Sequence, residues 1–227
     1  MDGAALCSGT VSDVEPLEEG DGERTVRGVL HRPRLPTGDG IVLAHGAGSN
    51  RDAPVLRTVA TAFAARGVAA LRIDLPFRQA RAKGPPSPAW AARDREGLRH
   101  ALTVLARRCT GRLMLGGHSY GGRQASMLLA DTPGLARALL LLAYPLHPPG
   151  RPERRRTEHL IMLRTPTVFV HGTRDPFGLL DEMEEACGLM PGPTRLVTVR
   201  DAGHDLGART NTAFAASAVD ELLALLR

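Results

Sequence analysis

Short apolar runs alternate along the chain with longer segments in which apolar residues recur every three or four positions. The first kind of run suits a strand buried on both faces, and the second suits an amphipathic helix. From residue 41 onward, the predicted strands are 41–44, 68–73, 112–115, 138–143, 167–170 and 195–199. The predicted helices are 52–66, 89–108, 121–131, 179–187 and 211–226. This alternation predicts an α/β fold with a mostly parallel, twisted sheet and helices on both faces.

Other segments depart from this alternation. Segments 9–14 and 25–31 are predicted to form antiparallel strands around an acidic turn. The proline-rich, basic stretch 76–88 is predicted to be a loop, and the polar segment 146–156 is too short to form a domain. The length of 227 residues suits one sizeable core. We therefore expect a single domain over residues 1–227, without a large lid domain.

The charge of the chain does not by itself identify a partner. There are 29 basic and 24 acidic side chains, a formal net charge of +5. Lys83 is the only lysine, and the arginines are scattered apart from residues 154–156. No zinc-finger spacing or RNA-binding aromatic motif accompanies them. We therefore expect a small-molecule substrate and no nucleic acid.

The cysteines and the apolar runs bear on whether the protein binds a metal, forms disulfides or spans a membrane. Cys7, Cys109 and Cys187 are widely spaced and form no CxxC or Cys/His pair, which predicts neither a disulfide framework nor a zinc site. The first residues are acidic, and no run approaches 18 apolar residues. We expect a cytoplasmic protein without membrane association, metal or cofactor, and the oligomeric state stays open.

The strongest candidate for chemistry follows the predicted strand 112–115. Residues 117–121 read Gly-His-Ser-Tyr-Gly, which fits G-x-S-x-G, and an apolar helical pattern comes next. In a nucleophile elbow, the serine occupies a sharp strand-to-helix turn with a strained backbone, and the two flanking glycines avoid steric clashes. A G-x-S-x-G in a chain with 25 glycines can also be a small-residue packing turn. The strand before it and the helix after it favour Ser119 as a nucleophile.

A serine needs a base and a carboxylate that orients the base, and the elbow rule expects them later in the chain in the order Asp or Glu, then His. Asp175 follows the predicted strand 167–170, and His204 follows the predicted strand 195–199. Each residue alone could be an ordinary loop residue. Their joint occurrence in the required order predicts a Ser119–Asp175–His204 triad.

The triad template assigns the roles. Ser119 attacks a carbonyl carbon, His204 moves its proton to the leaving group, and Asp175 fixes the imidazole tautomer. The oxyanion requires two preorganised N–H donors. We expect these to be the backbone N–H of Tyr120, directly after the nucleophile, and the backbone N–H of Ala47, in the glycine-containing loop after strand 41–44.

Further polar and aromatic residues lie on loops predicted to surround this site. The candidate substrate contacts are His45, Arg78, Arg123, His147 and Phe177. An arginine among them would recognise a substrate carboxylate through paired hydrogen bonds. The alternative is that the arginines form structural ion pairs or are solvated, and that the aromatic ring only packs.

Several segments resemble the small, capless α/β hydrolases of the dienelactone-hydrolase-like kind. They are closest to the predicted-hydrolase branch that includes testis-expressed and KAT-complex-regulatory relatives. The matching segments are 43–48, 121–126, 144–150, 172–178 and 203–206. The resemblance implies an α/β-hydrolase fold and the same triad. His118 stands where this branch has a lysine, and Ser119 stands where dienelactone hydrolases have a cysteine, so dienelactone is not the expected substrate.

Together these observations predict a serine hydrolase of ester-type substrates. Two other functions use the same fold: a partner-binding protein without catalysis, and an acyl transferase working at the same site. A dinucleotide-binding protein is a further alternative, because Gly46 and Gly48 follow a strand and Asp74 ends the next one. Arg51 occupies the third glycine position of that motif, however, and the later Asp and His would have no role.

Overall fold

The computed structural model describes residues 12–227 and contains one eight-stranded sheet. The strands are β1 (Ser12–Glu19), β2 (Val26–Pro33), β3 (Gly40–Ala44), β4 (Ala69–Asp74), β5 (Leu113–His118), β6 (Leu139–Leu142), β7 (Thr167–Gly172) and β8 (Thr194–Val199). Their spatial order is β1-β2-β4-β3-β5-β6-β7-β8. β1 pairs antiparallel with β2, and β2 pairs antiparallel with β4. The remaining pairings are parallel.

Helices cover both faces of this sheet. They are α1 (Pro54–Ala64), α2 (Pro76–Ala80), α3 (Ala91–Ala106), α4 (Tyr120–Asp131), α5 (Leu180–Gly188) and α6 (Ala213–Ala224). Short 3-10 turns lie at Gly22–Arg24, Pro88–Trp90 and Leu160–Met162. Ile41 and Leu43 pack into the core beneath α1 and α6, whereas Val42 and Ala44 pack into the core beneath α3 and α4. Successive side chains of a strand point to opposite faces, and helices cover both faces here, so every residue of β3 is buried.

The structure confirms the predicted α/β fold, and each predicted helix and strand from residue 41 onward has a counterpart. The predicted strand 9–14 lies partly outside the described residues, and the observed β1 continues to Glu19. The prediction of a loop throughout 76–88 was wrong at its start, where α2 forms. Pro76 is at the first turn of α2, which suits its fixed φ, and Phe77 and Arg78 are buried. Tertiary contacts thus stabilise a helix that is too short to be stable alone.

The connection between β6 and β7 carries one 3-10 turn, so the carboxyl end of the sheet has no helical lid domain within residues 12–227. Across the same residues, no helix is long and apolar enough to cross a lipid bilayer.

Candidate active site

Ser119 occupies the turn between β5 and α4. Its φ of 50° and ψ of −116° lie in a region that residues with a side chain rarely adopt. Its backbone N–H donates to the Leu142 carbonyl, 2.9 Å away, and so ties the turn to the end of β6. This conformation stores strain of the order of 1–3 kcal/mol, which the surrounding structure must hold. The turn therefore has the backbone geometry expected for a nucleophile elbow.

The two glycines of the motif are required because backbone segments approach each other closely. A Cβ on Gly117 would lie 2.6 Å from the Gly121 carbonyl carbon and the Gly122 nitrogen. A Cβ on Gly121 would lie 2.6 Å from the His45 carbonyl oxygen. These neighbours are main-chain atoms and cannot turn away. The glycines let α4 start directly against β3 and β5.

The structure brings Ser119, His204 and Asp175 together, although they lie on three separate loops. His204 Nε2 lies 2.8 Å from Ser119 Oγ. His204 Nδ1 lies 2.9 Å from Oδ2 of Asp175 and 3.1 Å from Oδ1. With the proton on Nδ1, the imidazole donates to the carboxylate and Nε2 accepts from the serine hydroxyl. The three side chains form one continuous hydrogen-bonded chain.

The Asp175 carboxylate is buried, with 3% of the residue exposed, and the main chain holds it in place. Its Oδ1 also accepts the Phe177 backbone N–H at 2.9 Å. The Phe177 ring stacks on the His204 ring, with 4.1 Å between the ring centroids. Of the five predicted substrate contacts, Phe177 is therefore the one that touches the imidazole.

His118 is a further residue of the site, and the sequence pattern predicted no role for it. Its Nε2–H donates to the His204 carbonyl at 2.8 Å and thereby fixes the loop that carries the imidazole. Burial lowers the pKa of His118 to about 4, so the ring is neutral. Its Nδ1 is buried without a partner among the described residues. The departure from the lysine of the related branch was the one signal that marked this position.

Of the two N–H groups predicted for the oxyanion, that of Tyr120 directly follows Ser119, and that of Ala47 lies in the loop after β3. Tyr120 is the first residue of α4, so its N–H has no carbonyl one turn earlier in the helix. The Tyr120 hydroxyl donates to Asp94 Oδ2 at 2.6 Å, and the Phe77 N–H donates to Asp94 Oδ1 at 3.0 Å. Burial raises the pKa of the Asp94 carboxyl despite these bonds. Asp94 thus links α3 to the residue that follows Ser119.

The side chains of His45 and Arg78 face the main chain and not an open site. His45 is fully buried, its Nδ1–H donates to the Gly46 carbonyl at 2.8 Å, and its Nε2 accepts the Leu75 N–H at 3.1 Å. Burial lowers the pKa of His45 to about 4. Arg78 is 7% exposed and donates to four backbone carbonyls. Neither side chain is free for a substrate in this arrangement.

His147 and Arg123 differ in how far their polar atoms are occupied. His147 Nδ1 lies 2.8 Å from the Pro148 carbonyl, and its Nε2 lies 3.0 Å from Glu182 Oε2, so both ring nitrogens face oxygen acceptors. Arg123 follows the elbow by one helical turn, is half-buried, and its Nε has no partner within the described part of the chain. Recognition of a substrate carboxylate by Arg123 stays a prediction. No group of three or more His, Cys, Asp or Glu in residues 12–227 could hold a metal ion.

Comparison with known proteins gives both a family and structural neighbours. A family model described as an alpha/beta hydrolase domain matches residues 38–223. Dienelactone hydrolase from Anabaena variabilis is similar with a TM-score of 0.74 and 22% identity, over 94% of this chain and 98% of its own. An esterase from Pyrococcus furiosus is similar with a TM-score of 0.71 and 16% identity, over 94% and 92% of the two chains.

A third similar structure is Est1E from Butyrivibrio proteoclasticus, with a TM-score of 0.70 and 15% identity over 92% of this chain and 99% of its own. At these identities, the three structures establish a shared fold and leave the substrate open.

Proposed function

Because the chain belongs to the alpha/beta hydrolase domain family, we propose that it is a serine hydrolase that cleaves a small carboxylic ester or thioester through an acyl-enzyme on Ser119. The observation that carries the proposal is the uninterrupted chain from Ser119 Oγ through the His204 ring to the Asp175 carboxylate, with contacts of 2.8 and 2.9 Å. The strained φ of Ser119 and the glycines beside it support the same role.

In the proposed acylation step, Ser119 Oγ attacks the carbonyl carbon while His204 Nε2 takes the hydroxyl proton. The resulting imidazolium keeps its Nδ1–H on Asp175, whose buried negative charge stabilises it. His204 then donates the proton to the departing alcohol or thiol. The serine is left as an ester, and the leaving group departs as a neutral molecule.

The deacylation step repeats this chemistry with water. His204 takes a proton from the water as its oxygen attacks the acyl carbon, and it returns that proton to Ser119 Oγ as the carboxylic acid leaves. In both steps the tetrahedral oxyanion would accept hydrogen bonds from the N–H groups of Tyr120 and Ala47. Each such donor contributes about 3–4 kcal/mol in comparable enzymes. The Phe177 ring, stacked on the imidazole, would border the substrate.

A fluorophosphonate probe tests the proposal without knowledge of the natural substrate. It should label the wild-type protein once per chain, and Ser119→Ala should abolish the labelling. Ser87→Ala is the matched control, because Ser87 lies exposed on a loop and its side chain caps no helix. A panel of p-nitrophenyl esters of increasing acyl length should show hydrolysis that depends on Ser119.

The outcomes separate the candidate functions. Wild-type protein that neither reacts with the probe nor hydrolyses any ester would contradict the proposal and favour a partner-binding protein with the same fold. Labelling accompanied by faster acyl transfer to an added alcohol than to water would assign acyl transfer, which shares the acyl-enzyme.

A further inference from the structure

We propose that Arg78 is a positioning residue that fixes the peptide units around Ala47, so that the Ala47 N–H is held ready for the oxyanion. This inference rests on the proposed function. It differs from the sequence-based expectation that Arg78 contacts the substrate, because its side chain is directed at the main chain of the loop.

The contacts of Arg78 span the loop that follows β3. Its Nε donates to the Ser49 carbonyl at 2.7 Å, and its Nη2 donates to the Ala47 carbonyl at 2.9 Å. The same guanidinium also donates to the carbonyls of Arg81 and Gly84, each at 3.1 Å. Four of its five N–H donors are therefore occupied. A planar group with fixed donor directions holds several carbonyls in one arrangement, which a solvated side chain would not do.

The peptide unit that contains the Ala47 N–H is fixed from its other side. Its carbonyl belongs to Gly46, and this oxygen accepts the His45 Nδ1–H at 2.8 Å and the Ser49 N–H at 3.1 Å. Because a trans peptide is planar, holding this oxygen directs the Ala47 N–H the opposite way. Arg78 holds the next peptide unit through the Ala47 carbonyl. Both peptide planes that meet at Ala47 are therefore restrained.

Ala47 N–H itself has no acceptor among the described residues, whereas the carbonyls of Gly46, Ala47 and Ser49 in the same loop each accept a hydrogen bond. Preorganisation of an oxyanion site requires a donor that is oriented before the negative charge develops. The unpaired Ala47 N–H would be such a donor, and the buried Arg78 would hold the carbonyls around it in place. Arg78 lies on α2, whose first turn is anchored by the Asp94 carboxylate through the Phe77 N–H. The position of the loop is thus connected to α3 through the main chain of α2.

Arg78→Met tests the role, because methionine keeps an apolar stem and removes every donor. With p-nitrophenyl acetate, we expect kcat to fall about 10–100-fold while KM stays within about twofold, since the oxyanion exists only in the transition state. The inhibition constant of an alkyl trifluoromethyl ketone, whose adduct carries the oxyanion, should rise by the same factor as kcat/KM falls. Arg78→Lys keeps the charge but has fewer donors, so its decrease in kcat should be smaller than that of Arg78→Met.

Arg112→Met is the matched control. Arg112 precedes β5 at the amino end of the sheet, and it donates to Asp39 at 2.7 Å and to the Leu226 carbonyl at 2.9 Å. Its loss should lower the melting temperature and leave kcat within about twofold. If Arg78→Met does not fold, Arg78→Lys carries the test, with the same comparison of kcat, KM and ketone inhibition.

Three outcomes would overturn the inference. If the Arg78 variants have a lower melting temperature but an unchanged kcat, Arg78 only stabilises the fold. A variant in which KM rises while kcat is unchanged would make it a substrate contact. Wild-type protein without any Ser119-dependent hydrolysis would instead remove the proposed function first, and the inference with it.

Discussion

Asp175→Asn is the substitution whose effect follows most directly from the hydrogen bonds of the site. In the native protein, Asp175 Oδ1 accepts the Phe177 N–H at 2.9 Å, and Oδ2 accepts from His204 Nδ1 at 2.9 Å. Asparagine has one oxygen and one NH2 group. If the oxygen stays with the Phe177 N–H, the NH2 group faces His204 Nδ1. The imidazole must then carry its proton on Nε2, where it can no longer accept the Ser119 proton.

The opposite orientation of the asparagine is disfavoured. It would place the NH2 group against the Phe177 N–H and leave a buried donor unpaired, at about 1–3 kcal/mol. The inactive tautomer therefore dominates, and the charge that stabilises the imidazolium is lost as well. We expect kcat to fall about 10⁴-fold, the size of this effect in a comparable triad, which corresponds to about 5.5 kcal/mol of transition-state stabilisation.

Steady-state hydrolysis of p-nitrophenyl acetate measures the effect, with circular dichroism to verify folding. Asp201→Asn is the matched control. Asp201 lies in the connection after β8 that also carries His204, but it is exposed and pairs with Arg174 at 2.7 Å. It should keep kcat within about twofold. A folded Asp175→Asn protein that retains more than about a tenth of the wild-type kcat would refute the proposed role of the carboxylate.

Two further predictions concern stability. Gly121→Ala should lower the free energy of unfolding, measured in urea, by about 1–3 kcal/mol, because the new Cβ would meet the His45 carbonyl. Gly188→Ala is the control: a Cβ there would meet open space, so the substitution should not destabilise the protein. Burial lowers the pKa of both His31 and His45 from 6.5 to about 4, so the unfolded chain binds these protons first as the pH falls. As the pH falls from about 6.5 to 4, the free energy of unfolding should therefore decrease by up to about 3 kcal/mol per histidine. His31→Gln should weaken this pH dependence, and an unchanged slope of unfolding free energy against pH would contradict the prediction.

The order of elements and the meeting of the three loops could be predicted from the sequence for a geometric reason. Parallel strands end at one edge of a sheet, and Ser119, Asp175 and His204 each follow a different strand of that sheet. Apolar runs are sufficient to locate such strands when both faces are buried, as in β3 and β7. Proximity of the three residues thus follows from the topology, before any side chain is placed.

The direction of individual side chains could not be predicted in the same way. His45 and Arg78 follow the carboxyl ends of β3 and β4, which suggested substrate contacts, yet both donate to the main chain of residues 46–49. Whether a loop arginine meets a ligand or a carbonyl depends on how neighbouring loops pack, and that information is spread over segments far apart in the chain. The short helix α2 was missed for the same reason, since its burial and the distant Asp94 stabilise it.

The sequence by itself determined the fold class, the order of the strands and the order along the chain of a serine, a carboxylate and an imidazole, because periodicity and chain direction are local properties. Only the tertiary structure decided which polar groups face each other across loops: the contact of His118 with the His204 carbonyl, the link from Asp94 to Tyr120, and the four carbonyls around Arg78. The physical reason is that most buried polar atoms pair with whichever group the packing places beside them. That partner is commonly a backbone group, which carries no mark in the sequence.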